Sequence, residues 1–222
     1  MGELRATMFQ CIGMFDPLIF HIDRFELVPE MPEGSSVELQ SEMYVSSKGS
    51  LGDKIPLEEV IGHVNADRFG SINFKLLYKG LTNISVIVFS NGRIKLSGGM
   101  SGMVKDQKSL LEYVNEVMEG LSKWLKVRVS EPGVIMCLNG ICRSGRTHTA
   151  MELRDMIEMK SKNFTRIIQP DLNRRGGRRS AYKCYLLADR KLHIAYDHKG
   201  TAQIFGARSY DELSMCHMAL FS

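Results

Sequence analysis

Apolar and polar positions alternate most regularly in the stretch ISVIVFSNGRIKLSGG at 84–99. Ile84, Val86 and Val88 fall on one side of an extended chain, and Ser85, Ile87 and Phe89 on the other. Asn91-Gly92 then predicts a two-residue hairpin turn with both central residues at φ > 0. Residues 93–97 return as a second strand. Because both sides carry large apolar groups, one face is expected on a core and the other against a partner.

The twofold period recurs at 37–47, through Val37, Leu39, Met43 and Val45, and at 69–79, where Ile72, Phe74, Leu76 and Tyr78 share a side. Helical spacing takes over between and after these strands. Pro56 suits the first position of a helix, with Glu58 and Glu59 near its positive end and a stripe of Leu57, Val60, Ile61 and Val64. Asp106 suits the cap of a long amphipathic helix carrying Leu110, Leu111, Val114, Val117, Met118, Leu121, Trp124 and Leu125.

The order of elements then starts again. A strand at 134–142, a helix at 147–160 and an extended piece at 166–169 lead into a loop at 170–180, PDLNRRGGRRS. Three short strands at 182–187, 192–196 and 201–205 and a helix at 211–220 complete the chain. FSNGRIKLSGGMS in the first half lines up with YDHKGTAQIFGARS in the second, which points to an internal duplication. The expected fold class is α+β, with repeats at 41–130 and 131–222, antiparallel sheets, and long helices on one side. Residues 1–40 are expected to form an acidic N-terminal extension, since 8–20 lacks a clean period and 29–36 has loop composition.

Charge adds a direction to this picture. Residues 1–40 hold 2 basic and 7 acidic side chains, residues 41–126 hold 11 and 9, and residues 127–222 hold 16 and 9. A basic second half suggests a polyanionic partner. No apolar run approaches the roughly 18 residues of a membrane-spanning helix, so no membrane partner is expected. The acidic and basic interruptions near the start do not suit a signal peptide, and an intracellular protein is expected. Five scattered cysteines suit reduced thiols. Cys137, Cys142, His148 and His217 lack the short paired spacing of a structural metal site, so neither metal nor cofactor is expected. Asp197-His198 comes with no nucleophile motif, and GGRRS lacks a phosphate-holding lysine. An enzyme is not expected.

Four motifs, in order around the duplication, resemble the TATA-box-binding protein family. VIVFSNGRIKLSGGMS and HIAYDHKGTAQIFGARS are each similar to the end of that family's repeat. SLGDKIPLEEV and ADRFGSI resemble segments that lead into it. The resemblance spans about 41–220 and implies a saddle whose concave sheet binds A/T-rich promoter DNA in the minor groove. This family is the usual illustration of minor-groove binding with apolar wedges between base steps. Minor-groove edges of A·T pairs offer only acceptors and apolar surface, which aliphatic and small polar side chains suit.

The resemblance implies Phe69 and Phe89 as wedges of the first repeat, with Ile87 beside Phe89. It implies Lys95 and Ser97 on the groove-facing last strand and Tyr44 and Ser46 on the first strand. In the second repeat it implies Tyr196 as a wedge, Ile194 as its neighbour, and Gln203 and Phe205 on the last strand. One departure stands out. Asn173 occupies the place of the fourth wedge, and Arg174, Arg175, Arg178 and Arg179 follow it as candidate phosphate contacts.

The implied function is that of a transcription initiation factor recruiting a IIB-like factor and RNA polymerase, at the nucleus or a viral transcription site. The degree of divergence resembles family members encoded by large DNA viruses. Self-association is a further partner considered. Two other readings stay open: a protein-interaction module that keeps the fold without TATA binding, and a non-specific binder of the DNA backbone.

Overall fold

Strand pairing in this chain follows from the two-residue period read above. The computed structural model describes residues 3–16, 35–47, 54–56, 69–80, 82–89, 91–100, 104–125, 127–170 and 181–222, except for the side chains at 41–47, 54–56 and 69. Six strands come first: β1 (Arg5–Phe15), β2 (Val37–Ser47), β3 (Lys54–Pro56), β4 (Phe69–Tyr78), β5 (Thr82–Phe89) and β6 (Arg93–Gly99). Helix α1 (Gln107–Leu125), β7 (Val129–Arg143) and helix α2 (Ala150–Met159) follow. The chain ends with β8 (Arg166–Ile168), β9 (Tyr182–Tyr185), β10 (His193–Tyr196), β11 (Thr201–Ala207) and helix α3 (Tyr210–Phe221).

These elements group into two compact units. The first holds residues 9–104 and 108–135, and the second holds 1–8, 105–107 and 136–222. In the first unit the strand order is β3-β2-β4-β5-β6-β1-β7, and in the second it is β1-β7-β11-β10-β9-β8, since β1 and β7 each contribute residues to both. The boundary expected near residue 130 therefore falls inside one strand, β7.

The core of the first unit lies between α1 and one sheet face. Ile72, Phe74, Leu76 and Tyr78 of β4 are buried, as are Ile84, Val86 and Val88 of β5 and Ile94 and Leu96 of β6. Helix α1 buries Leu110, Tyr113, Val114, Val117, Met118, Leu121 and Trp124 against them. Burying each large apolar side chain is worth roughly 1.5–3 kcal/mol. Trp124 meets Phe74 edge-on at 5.4 Å, and Tyr113 meets Tyr78 and Phe9 at 4.5 and 5.3 Å. Leu111, expected in the apolar stripe, is instead exposed, and Tyr113 takes a place in it. The helix sits close to the backbone beneath it. A Cβ on Gly133 would lie 2.6 Å from the Val114 side chain, and one on Gly13 would lie 2.8 Å from Met118.

Three local features differ from expectation. Residues 5–15, expected in an extension, form β1, in which Phe9, Cys11 and Phe15 are fully buried. Pro56 pairs with Tyr44 as the last residue of β3 rather than opening a helix. An edge strand tolerates proline because no neighbour needs its missing N–H. The helix expected over 57–64 lies outside the described residues. Among the described residues of the β5–β6 turn, Gly92 is at positive φ, 83°, and Asn91 is not. Gly92 N–H donates to the Phe89 carbonyl at 2.9 Å, and Arg93 N–H donates to the Asn91 side chain at 3.1 Å. A tight turn closed by one left-handed glycine is the three-residue hairpin form.

In the second unit, helices α2 and α3 begin at side-chain caps. Thr149 Oγ1 accepts from Glu152 N–H at 3.2 Å, while Glu152 Oε2 accepts from Thr149 N–H at 2.7 Å, a reciprocal capping box. Ser209 Oγ accepts from Glu212 N–H at 3.2 Å. Leu153, Ile157, Leu213, Cys216 and Leu220 are the buried residues of the two helices. All five cysteines are free thiols. Burial pushes those of Cys11, Cys184 and Cys216 up to about 12, while Cys137 is half-buried.

Candidate nucleic-acid interface

Strand alternation leaves each unit with a second sheet face, and register decides what stands on it. In the first unit Ile87 pairs with Asn73 on one side and Lys95 on the other, and Asn73 also pairs with Tyr44. The neighbouring rows are Ser46–Ser71–Phe89 and Lys75–Ser85–Ser97. Thus Ile87, Phe89, Lys95 and Ser97 stand on one face, and Tyr44 and Ser46 occupy register positions in the same rows. Phe69 holds the first position of β4, paired with Ser47. Phe89, Ile87, Lys95 and Ser97 are half-buried. Ser71 and Asn73, which are not among the expected contacts, complete the rows; both are buried, with Asn73 Nδ2 donating to Ser71 Oγ at 3.1 Å.

The second unit has the same hairpin with different side chains. Tyr196 pairs with Ala202, and Asp197 N–H donates to the Thr201 carbonyl at 3.1 Å. Gly200, at φ 72°, donates its N–H to the Asp197 carbonyl at 3.0 Å. Asp197 Oδ1 accepts from the N–H groups of Lys199 and Thr201 at 2.9 and 3.0 Å, so that carboxylate holds the turn together.

Counting from the turn glycines, Phe89 corresponds to Asp197, and Tyr196 corresponds to Val88. Tyr196 and Ile194 are therefore not on the open face. Both are completely buried. The Tyr196 ring meets Phe221 of α3 edge-on at 5.7 Å, and its hydroxyl lies 2.9 Å from His148 Nε2. Desolvation raises its pKa. Strand parity overturns the wedge expected at Tyr196 and the supporting position expected at Ile194.

Gln203 and Phe205 do stand on the open face, with Gln203 exposed and Phe205 half-buried. Their rows are Lys183–Ala195–Gln203–Ile141 and Tyr185–His193–Phe205. The second row is a stack of rings. Tyr185 and His193 centroids are 4.9 Å apart at 23°, and His193 and Phe205 are 5.1 Å apart at 21°. The Arg166 guanidinium lies 5.8 Å from the Tyr185 centroid. Motif matching reached Phe205 but missed Tyr185, His193 and Arg166. The missed signal was pairing: a residue opposite Phe205 on the adjacent strand has to share its face.

Arg174, Arg175, Arg178 and Arg179 lie outside the described residues. Among the described residues no group of three or more His, Cys, Asp or Glu side chains is placed to hold a metal ion. No described helix is long and apolar enough to cross a membrane.

Searches with family models and against curated proteins return no match. Among solved structures the chain is similar to the TBP of Methanococcus jannaschii, at a TM-score of 0.51 and 10% identity. The match covers 97% of this chain and 94% of that one. At this identity the likeness establishes a TBP-like fold, an antiparallel sheet with few helices.

Proposed function

We propose that this chain is a DNA-binding transcription initiation factor that lays its open sheet faces, as a saddle, into the minor groove of promoter DNA. The observation that carries this reading is the row Tyr44–Asn73–Ile87–Lys95, flanked by Phe89, on the face opposite α1. A half-buried phenylalanine beside an aliphatic residue suits a wedge against a base step. Lys95, half-buried on the same face, supplies a donor to groove edges that present acceptors. Recruitment of a IIB-like factor and RNA polymerase, at a nuclear or viral transcription site, belongs to the same reading, as does the absence of catalysis.

The test is binding of an A·T-rich duplex against a G·C-rich one at two salt concentrations, beside the Phe89→Ala/Ile87→Ala variant. A preference for A·T of tenfold or more, about 1.4 kcal/mol, that the variant loses supports minor-groove reading. Equal and steeply salt-dependent binding, indifferent to the variant, means phosphate contacts alone. No binding at low salt favours the second reading, a TBP-fold interaction module. That alternative draws support from the second unit, where Tyr196 and Ile194 lie in the core and leave its face without the expected wedge.

A further inference from the structure

The ring stack of the second unit fixes one heteroatom in a defined chemical state. His193 is clamped between Tyr185 and Phe205, with both neighbours within 23° of parallel to its ring. Its Nδ1 lies 3.0 Å from the Lys191 carbonyl oxygen. A carbonyl oxygen only accepts, so Nδ1 carries the proton and Nε2 of the neutral ring carries a lone pair. The backbone around that carbonyl is built for close approach. A Cβ on Gly206, at φ 82°, would lie 2.8 Å from the Lys191 oxygen, and the β-bulge between Ile204 and Ala207 contains this glycine and Phe205. Nε2 is on the ring edge far from Cβ, His193 is half-buried, and no described residue hydrogen-bonds that nitrogen.

An oriented acceptor is the wrong group for A·T pairs, whose minor-groove edges present only acceptors, and the right one for the guanine 2-amino group, the sole donor there. We propose that His193 is a specificity-determining residue that makes the second unit a reader of the guanine 2-amino group in the minor groove. This inference rests on the minor-groove reading above. The matching row of the first unit is Lys75–Ser85–Ser97, in which a hydroxyl replaces the imidazole and no ring fixes its direction. The two units then favour different base pairs, and a preferred site is asymmetric, mostly A·T with a G·C pair under the ring stack.

The experiment uses A·T-rich duplexes carrying one G·C or one I·C pair, stepped along the site, at pH 8. Inosine differs from guanine only by lacking the 2-amino group. At one position the wild-type chain is expected to bind the G·C duplex about fivefold more tightly than the I·C duplex, roughly the worth of one hydrogen bond. His193→Phe keeps the stack and removes Nε2 together with the Nδ1–Lys191 hydrogen bond, so it should bind both duplexes equally, with a melting temperature lowered by no more than the loss of that one exposed hydrogen bond. Equal binding of G·C and I·C at every position by the wild type, or a preference that survives His193→Phe, overturns the inference while leaving minor-groove binding intact. Failure to bind any of the duplexes, including the all-A·T one, overturns both.

Discussion

The two units carry the same hairpin in the same register and put different chemistry on it. In the first, the two strands of the hairpin present Ile87 and Phe89 among Ser85, Lys95 and Ser97 on the open face. In the second, the turn-proximal position of Phe89 is taken by Asp197, whose carboxylate is committed to the turn. The aromatic groups sit instead two rows away, as the Tyr185–His193–Phe205 stack. A duplicated backbone fixes which positions face outward. It does not fix which of them carries the bulky group. The aromatic residue nearest the second turn, Tyr196, faces inward and packs under α3.

The sharpest way to break this comparison is to truncate the two aromatics that look equivalent. Tyr196→Ala is expected to cost about 3–5 kcal/mol in denaturant unfolding, the usual range for a fully buried ring. Phe89→Ala should cost under about 1.5 kcal/mol, since only part of its surface is removed from water, and should lower DNA affinity instead. Similar stability losses for the two would mean that Tyr196 is not the core residue described above. The turns provide a second contrast. At Gly200 an added Cβ would lie 2.1 Å from the Arg146 carbonyl oxygen, so Gly200→Ala suffers a clash on top of its left-handed backbone. Positive φ alone costs roughly 1–3 kcal/mol; a loss above that range from urea unfolding of Gly200→Ala is the expected result.

Smaller effects sharpen the picture. Tyr196→Phe keeps the ring and gives up the contact with His148 Nε2, for a loss near 1 kcal/mol and no change in DNA affinity. Lys95→Ala should lower the slope of log affinity against log salt by about 0.9, the signature of one phosphate contact. An unchanged slope assigns Lys95 to base edges alone.

The smallest effect lies on the first unit's helix side. There the Tyr78 hydroxyl donates to Glu116, whose carboxylate also lies 3.1 Å from Lys79 Nζ. These partners, the tyrosine foremost, hold the Glu116 carboxyl below its ordinary value. A depressed carboxylate stabilises the fold above its unfolded pKa, about 4.3, and that contribution disappears as pH falls through the folded value. Glu116→Gln should therefore cost under about 1 kcal/mol at pH 7, because the pair is half-exposed, and progressively less as pH falls below the unfolded value.

Much of this arrangement was legible in the sequence, for reasons that also mark where reading stopped. β4, β5 and β6 keep an unbroken apolar period of two on the core side, so their faces follow directly and their bounds to within two residues. In β1 the buried residues Phe9, Cys11 and Phe15 also keep a period of two, but Met8, Ile12 and Met14 on the other side are apolar as well, which conceals it. The Tyr196 assignment failed because aromatic was matched to aromatic. Phe89 stands three residues before its turn glycine and Tyr196 four, and one residue reverses the face of a strand. Nothing in the sequence displays the ring stack as such, because its members come from separate strands and meet only through register.

The uneven burial of the thiols has a practical consequence. Four of the five cysteines are buried. Cys137 is half-buried, and it shares a face of β7 with Asn139 and Ile141, the latter paired with Gln203. A maleimide dye added to the folded chain should therefore label Cys137 selectively, on the sheet face in question, with no engineered mutation. The native chain supplies its own fluorescent reporter, and protection of that one thiol by duplex DNA would map the bound surface directly.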